Sequence, residues 1–206
     1  MQRATLRAKI LLIGDGAVGK SSFRRVWLRE TFPTQYLMTL GADFASKNIS
    51  QYYSPTKTKY TIKFQIWDLA GQPRFKAVSD LYYHGAVGAL CFFDITNNNS
   101  FINLAEWIQS YWKLNGRGKR PLLVVGAKND LRNNPNFPNQ VSSNHGVNYA
   151  RELTEIIQKD HNFEIHYIET SSKYNINVDK AFQQLGTEII KVYNQIMDSI
   201  LPHTTD

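Results

Sequence analysis

The chain has 206 residues with 24 lysines and arginines against 17 aspartates and glutamates, a formal charge of +7. At 42% hydrophobic and 20% charged residues it is too apolar for a disordered chain, and it is long enough for one domain with its own core. Its single cysteine, Cys91, excludes an intramolecular disulfide and a cysteine-rich zinc centre and favours a reducing compartment, and no apolar run reaches the ~18 residues that span a bilayer.

In chain order, basic residues precede the short apolar run Ala8–Ile13, which leads straight into a glycine motif. It reads as a buried strand and not as a signal peptide. Gly14-Asp15-Gly16-Ala17-Val18-Gly19-Lys20-Ser21 fits G-x-x-x-x-G-K-[ST] between that strand and a helix over Lys20–Glu30. In such a loop successive backbone N–H groups converge on phosphate oxygens at a helix N-terminus. Lys20 would reach the β- and γ-phosphates, and Ser21 would offer its hydroxyl to Mg²⁺. A glycine turn that merely precedes a helix is the alternative.

Strands over Phe44–Tyr53 and Lys59–Asp68 are consecutive, with Pro55 in the turn, so this pair is expected to be antiparallel. Asp68 ends its strand and Ala70-Gly71-Gln72 follows. An acid there can hold a metal through water, the Gly71 N–H can meet a γ-phosphate, and Gln72 can orient the attacking water. The same residues also suit a plain turn. Further strands are expected at Val87–Ile95, which would bury Cys91, at Leu122–Ala127 and at Phe163–Thr170; helices at Ser100–Lys113, Ser143–Lys159 and Val178–Ile200. The basic stretch Lys113–Arg120 and the Asn- and Pro-rich stretch Leu131–Val141 read as loops. The alternation predicts an α/β fold: a six-stranded, mostly parallel sheet with one antiparallel strand and helices on both faces.

WDLAGQPRF at 67–75, FFDITNNNSFINLAEW at 92–107 and ETSSKYNINVDKAF at 169–182 follow the phosphate loop in order. Together they make the chain resemble the small GTPases of the Ras superfamily, most closely the Rab branch, although GDGAVGKS is nearer the Rho form of the loop. The resemblance implies a P-loop NTPase small G domain over residues 1–206, with its core at about 8–200. It also implies hydrolysis of GTP to GDP with Mg²⁺, and a molecular switch whose loops order around the γ-phosphate.

Residue by residue, the resemblance implies that Gly14, Gly16, Ala17, Val18, Gly19, Lys20, Ser21 and Ser22 cradle the phosphates. Thr39 would join Ser21 on Mg²⁺ and Asp68 would act through water. Phe32 would pack on the guanine and Tyr36 would close over the phosphates. Gln72, Lys20 and Gly71 would carry catalysis. Asp130 would read the guanine, the stem of Lys128 would cover the base, and Ser171-Ser172-Lys173 would meet its O6. Ala127 stands where the family has an asparagine, so looser nucleotide binding is expected. Pro73 stands where a glutamate is usual and acts on Gln72 with a sign left open. No arginine finger is evident, with Arg24, Arg25 and Arg74 read as structural or solvated, so intrinsic hydrolysis should be slow.

Effector and regulator proteins would meet Phe44, Trp67 and Tyr82, unless these three simply fill the core beneath the switches. A nucleotide-holding scaffold with little hydrolysis is the other function, and a nucleic-acid binder rests on charge alone. The chain shows no cysteine near its end and no polybasic tail. The expectation is a soluble, cytoplasmic monomer without a direct lipid anchor, recruited to membranes only by a partner and binding no nucleic acid. Apart from Lys20, most basic residues look scattered over helices and loops.

Overall fold

The computed structural model describes residues 2–30, 39–72, 81–158 and 161–200. The expected fold class is present: six strands in the order β2-β3-β1-β4-β5-β6. They are β1 (Gln2–Gly14), β2 (Ala42–Tyr53), β3 (Thr58–Leu69), β4 (Gly88–Asp94), β5 (Leu122–Ala127) and β6 (His166–Thr170). β2 and β3 pair antiparallel, and every other neighbouring pair is parallel. The hairpin turns through a short 3-10 segment at Ser54–Thr56, with proline at its start, and Lys57 adopts a left-handed φ of 49° to close it.

Among the described residues, the helices bounded at both ends are α1 (Lys20–Trp27), α2 (Asn98–Ile102), α3 (Leu104–Leu114), α4 (Ser143–Ile157) and α5 (Val178–Ile200), and they flank the sheet. The helix expected from Ser100 to Lys113 is in fact two. Asn97 opens α2, its side chain accepting from the backbone N–H groups of Asn99 and Ser100, and Asn103 separates α2 from α3. α1 stops at Trp27 rather than Glu30. β6 starts at His166 rather than Phe163, because the Thr154 hydroxyl satisfies both backbone groups of Ile165 in place of a ladder.

β1 departs most from expectation. It begins at Gln2, and its first half pairs with Thr58–Lys63 of β3. That half alternates exposed and covered residues, so it carries no continuous apolar run to announce it. The same alternation corrects the expected scatter of basic residues. Arg3, Arg7 and Lys9 on β1 and Lys59 and Lys63 on β3 share one face of the sheet.

Further along, β1 is buried on both faces. Ile10 and Leu12 enter one cluster with Phe23, Trp27 and Phe182, where the Trp27 and Phe182 rings stack 3.6 Å apart. Leu11 and Ile13 enter the other with Leu104, Ile108 and Tyr111. Each side chain of this size contributes about 1.5–3 kcal/mol on full burial. Cys91 lies in the second cluster, and burial pushes its thiol up, as an inert core residue requires. The packing fixes the C-terminal ends of the five parallel strands along one rim, the usual place for a ligand in an open α/β sheet.

Candidate functional site

At that rim, β1 ends on Gly14, whose φ of 135° and close approach to the Phe92 carbonyl leave no room for a side chain. Ala17 and Gly19 also have positive φ, 64° and 113°, and the loop folds back into α1 at Lys20. Val18 is buried beneath it, and Ser22 is the third residue of α1. The Asp15 carboxylate anchors the loop from outside, accepting from Asn103 Nδ2 at 2.7 Å and from Trp107 Nε1 at 2.8 Å. Sequence reasoning missed this tether, and its only signal is the four-residue spacing that puts both donors on one side of α3.

Lys20 is buried, and its ammonium donates to the carbonyls of Gly14 and Asp15 at 2.8 and 2.7 Å. Desolvation outweighs the attraction of Asp68 and Asp15 and pushes its pKa down to about 8. Ser21 Oγ lies 3.0 Å from Thr39 Oγ1, so the two hydroxyls expected on a metal already face each other. Asp68 is fully buried at the end of β3, and among the described residues neither carboxylate oxygen has a hydrogen-bond partner. Burial raises its pKa, opposed chiefly by the positive charge of Lys20. Two orphaned anionic oxygens beside paired hydroxyls suit a hard, oxygen-preferring cation such as Mg²⁺.

Gly71 touches the same loop. A Cβ built there would fall 2.3 Å from the Asp15 carbonyl carbon and 2.4 Å from the Gly14 carbonyl oxygen. Gln72 reaches across to Gly16, where a built Cβ would sit 3.5 Å from its Cγ and Nε2. Thus the residues expected to carry catalysis converge on one loop. Arg24, read as merely structural or solvated, is buried and pairs with Asp43 of β2, while its Nε stands 4.0 Å from Asp68. That role is structural, and it ties β2 to Asp68. Phe32, Tyr36, Pro73 and Arg74 lie outside the described residues.

The residues expected to read the base gather where β5 and β6 end. Lys128 takes a left-handed φ of 65° and its ammonium donates to Asp94 at 2.6 Å. Ser171 Oγ donates to Asp130 at 2.6 Å, and Ser172 and Lys173 continue the same loop. Beneath them Glu169 ties the loops together through Asn129, Arg132, Ser143 and Tyr167. Burial pushes the Glu169 carboxyl up, but those four hydrogen bonds together hold it below its ordinary value. Glu169 lies inside the ETSSK stretch, yet its anchoring role is invisible there because three of its four partners come from distant segments.

Ala127 is buried at the end of β5, and a Cβ built on Gly19 would meet its Cβ at 3.7 Å. The departure from the family's asparagine therefore falls where the base loop abuts the phosphate loop. Ala127→Asn is expected to slow GDP release about 5–10-fold, the worth of roughly one hydrogen bond. Stopped-flow displacement of a fluorescent GDP measures it, and an unchanged rate would mean that position 127 does not govern affinity.

On the outer face Phe44 is 51% exposed. Its ring lies 5.3 Å from that of Trp67, which in turn lies 5.2 Å from Tyr82. The three form one partly exposed strip rather than a buried core.

A glycine loop between a strand and a helix, a buried lysine within it and an orphaned acid at the next strand end define a phosphate-binding α/β protein. The Ras family model matches residues 9–191. The chain is 35% identical to the Ras-related protein YPTC6 of Chlamydomonas reinhardtii, over 93% of this chain and 79% of that protein. It is 35% identical to the Ras-related protein Rab-11A of Dictyostelium discoideum, over 96% and 82%. With the Ras-related protein Rab-10 of Caenorhabditis elegans it shares 36%, over 88% and 80%. The chain belongs to the Ras family, as a small GTPase close to Rab.

Proposed function

We propose that the chain binds GTP and GDP along this rim, hydrolyses GTP slowly, and switches the loops around Thr39 and Gly71 as it does so. The observation that carries the reading is the convergence of Lys20, Ser21, Thr39, Asp68, Gly71 and Gln72 on one glycine loop. Ser21 and Thr39 would hold Mg²⁺ directly and Asp68 through water, and the ion would neutralise charge on the phosphates. The loop N–H groups and Lys20 bind the phosphate oxygens, and Lys20 exchanges its carbonyl acceptors for them. Gln72 orients the attacking water from beside Gly16. Asp130 accepts from the guanine N1–H and 2-amino group, which adenine lacks, and Lys128 lies along the base.

The sheet spans residues 2–170 and α5 closes against it, which supports a single G domain. No helix among the described residues is long and apolar enough to cross a membrane. With one buried thiol, a reducing cytoplasmic setting fits. We place the protein there as a monomer whose effectors and regulators meet the Phe44–Trp67–Tyr82 strip.

The test is twofold. Protein denatured directly after purification should release GDP or GTP, whereas adenine nucleotide would overturn base selection by Asp130. In single-turnover assays Gln72→Leu should hydrolyse GTP at least tenfold more slowly than wild type. Equal rates would remove Gln72 from the reaction, and no turnover by either protein would leave a nucleotide-holding scaffold.

A further inference from the structure

The sheet face that carries the aromatic strip continues, away from the nucleotide rim, into a field of cations. The register sets Arg3 opposite Lys59 and Arg7 opposite Lys63, with Lys9 two residues further along β1. Arg3, Arg7, Lys59 and Lys63 are exposed. None of these four forms an ion pair among the described residues. Among the described residues of β1, β2 and β3, their neighbours on this face are neutral. The acids of β1, β2 and β3 are Asp43 and Asp68, and strand alternation places both on the opposite side, where Arg24 meets them. Like charges directly opposite each other weaken a strand pair. Two such pairs, with no compensating ion pair among the described residues, point outward.

We propose that this face of β1 and β3 docks an acidic segment of a protein partner, continuous with the aromatic strip. The proposal rests on the strip as the partner-reading surface. The spacing suits an extended polypeptide. Residues two apart on a strand lie about 7 Å apart and residues four apart about 13 Å apart. Alternate aspartates or glutamates of a partner strand therefore match both the Arg7–Lys9 and the Arg3–Arg7 separations. Continuity is physical, because the Lys9 ammonium sits 4.9 Å over the Trp67 ring and donates to the His84 carbonyl at 2.8 Å. With that cation over it, the half-buried Trp67 ring is poorly placed to stack on a nucleobase, which disfavours single-stranded nucleic acid as the occupant.

The probe is octaglutamate, added to ¹⁵N-labelled GDP-bound protein at low salt. Amides of residues 3–9 and 59–63 should shift, with an affinity that falls as salt is raised. R3E/R7E/K63E should weaken binding at least tenfold, whereas a control that reverses Lys113, Arg151 and Lys180 to glutamate should change it less than twofold. Equal losses in the two triple variants would overturn the proposal, as would tighter binding of phosphatidylserine vesicles or of an RNA oligonucleotide at the same amides. Arg7→Glu alone should raise Tm by about 1–3 °C, because it turns a like-charge pair into an opposite-charge pair. An unchanged or lower Tm would remove the strain on which the argument leans. All measurements use the GDP state, so a failed nucleotide switch leaves them interpretable.

Discussion

Gly71→Ala should abolish the response to GTP while leaving GDP bound within about tenfold of wild type. The added methyl has nowhere to go. Its nearest neighbours, 2.3–2.5 Å away, are the carbonyl carbon and oxygen of Asp15 and the carbonyl oxygen of Gly14, all backbone atoms that cannot swing aside. Either Gly71 backs away from the loop, withdrawing the N–H proposed to meet the γ-phosphate, or the loop itself is displaced. Displacement would also move the two carbonyls that hold Lys20. Removing one preorganised donor from developing charge costs about 10²–10³-fold in rate, so single-turnover hydrolysis should fall at least a hundredfold. Limited proteolysis should then give the same pattern with GDP and with a non-hydrolysable GTP analogue. Wild-type hydrolysis in this variant would show that Gly71 does not need its close approach. Gly16 is a useful contrast, because a methyl there meets Gln72 at 3.5 Å, an ordinary contact with a side chain that can yield.

The sequence was most legible where chemistry and conformation coincide. The phosphate loop combines glycines that need positive φ with a lysine and a serine whose roles follow from their atoms. Its strand–loop–helix setting was therefore readable before any coordinates, as was α5, whose apolar face runs uninterrupted from Val178 to Ile200. The first half of β1 was illegible because it is polar on its outer face and pairs with a hairpin that does not yet exist in a linear reading. The start of α2 at Asn98, ahead of the expected Ser100, is likewise a local event: the Asn97 side chain accepts from the N–H groups of Asn99 and Ser100. Of the site, the directly acting residues were legible and their tethers were not. Asp15 is held from 88 and 92 residues away and Arg24 from 19, separations that periodicity cannot bridge. The same blindness concealed the basic face, since Arg3 and Lys59 become neighbours only once β1 and β3 pair.

Asp68→Asn should lower both stability and metal dependence, and the two effects separate its roles. Asp68 is the buried anion facing two buried cations, Lys20 and Arg24. Replacing one partner of a buried charge cluster leaves the others uncompensated and typically costs about 3–5 kcal/mol. For a chain of this length each kcal/mol shifts Tm by about 2–4 °C, so the nucleotide-free variant should melt roughly 6–20 °C below wild type. The second effect concerns its unpaired oxygens. If they hold Mg²⁺ through water, chelation by EDTA should accelerate GDP release from wild type strongly and from Asp68→Asn hardly at all, because release from the variant is already fast. A large fall in Tm with intact EDTA sensitivity would make Asp68 a counter-ion for Lys20 and Arg24 only. An amide retains the shape of the carboxylate and removes its charge, so the comparison tests electrostatics rather than packing. Arg24→Leu in the same assay isolates the remaining cation: with Asp43 released from α1, the start of β2 should loosen, and GDP release should quicken while its response to EDTA persists.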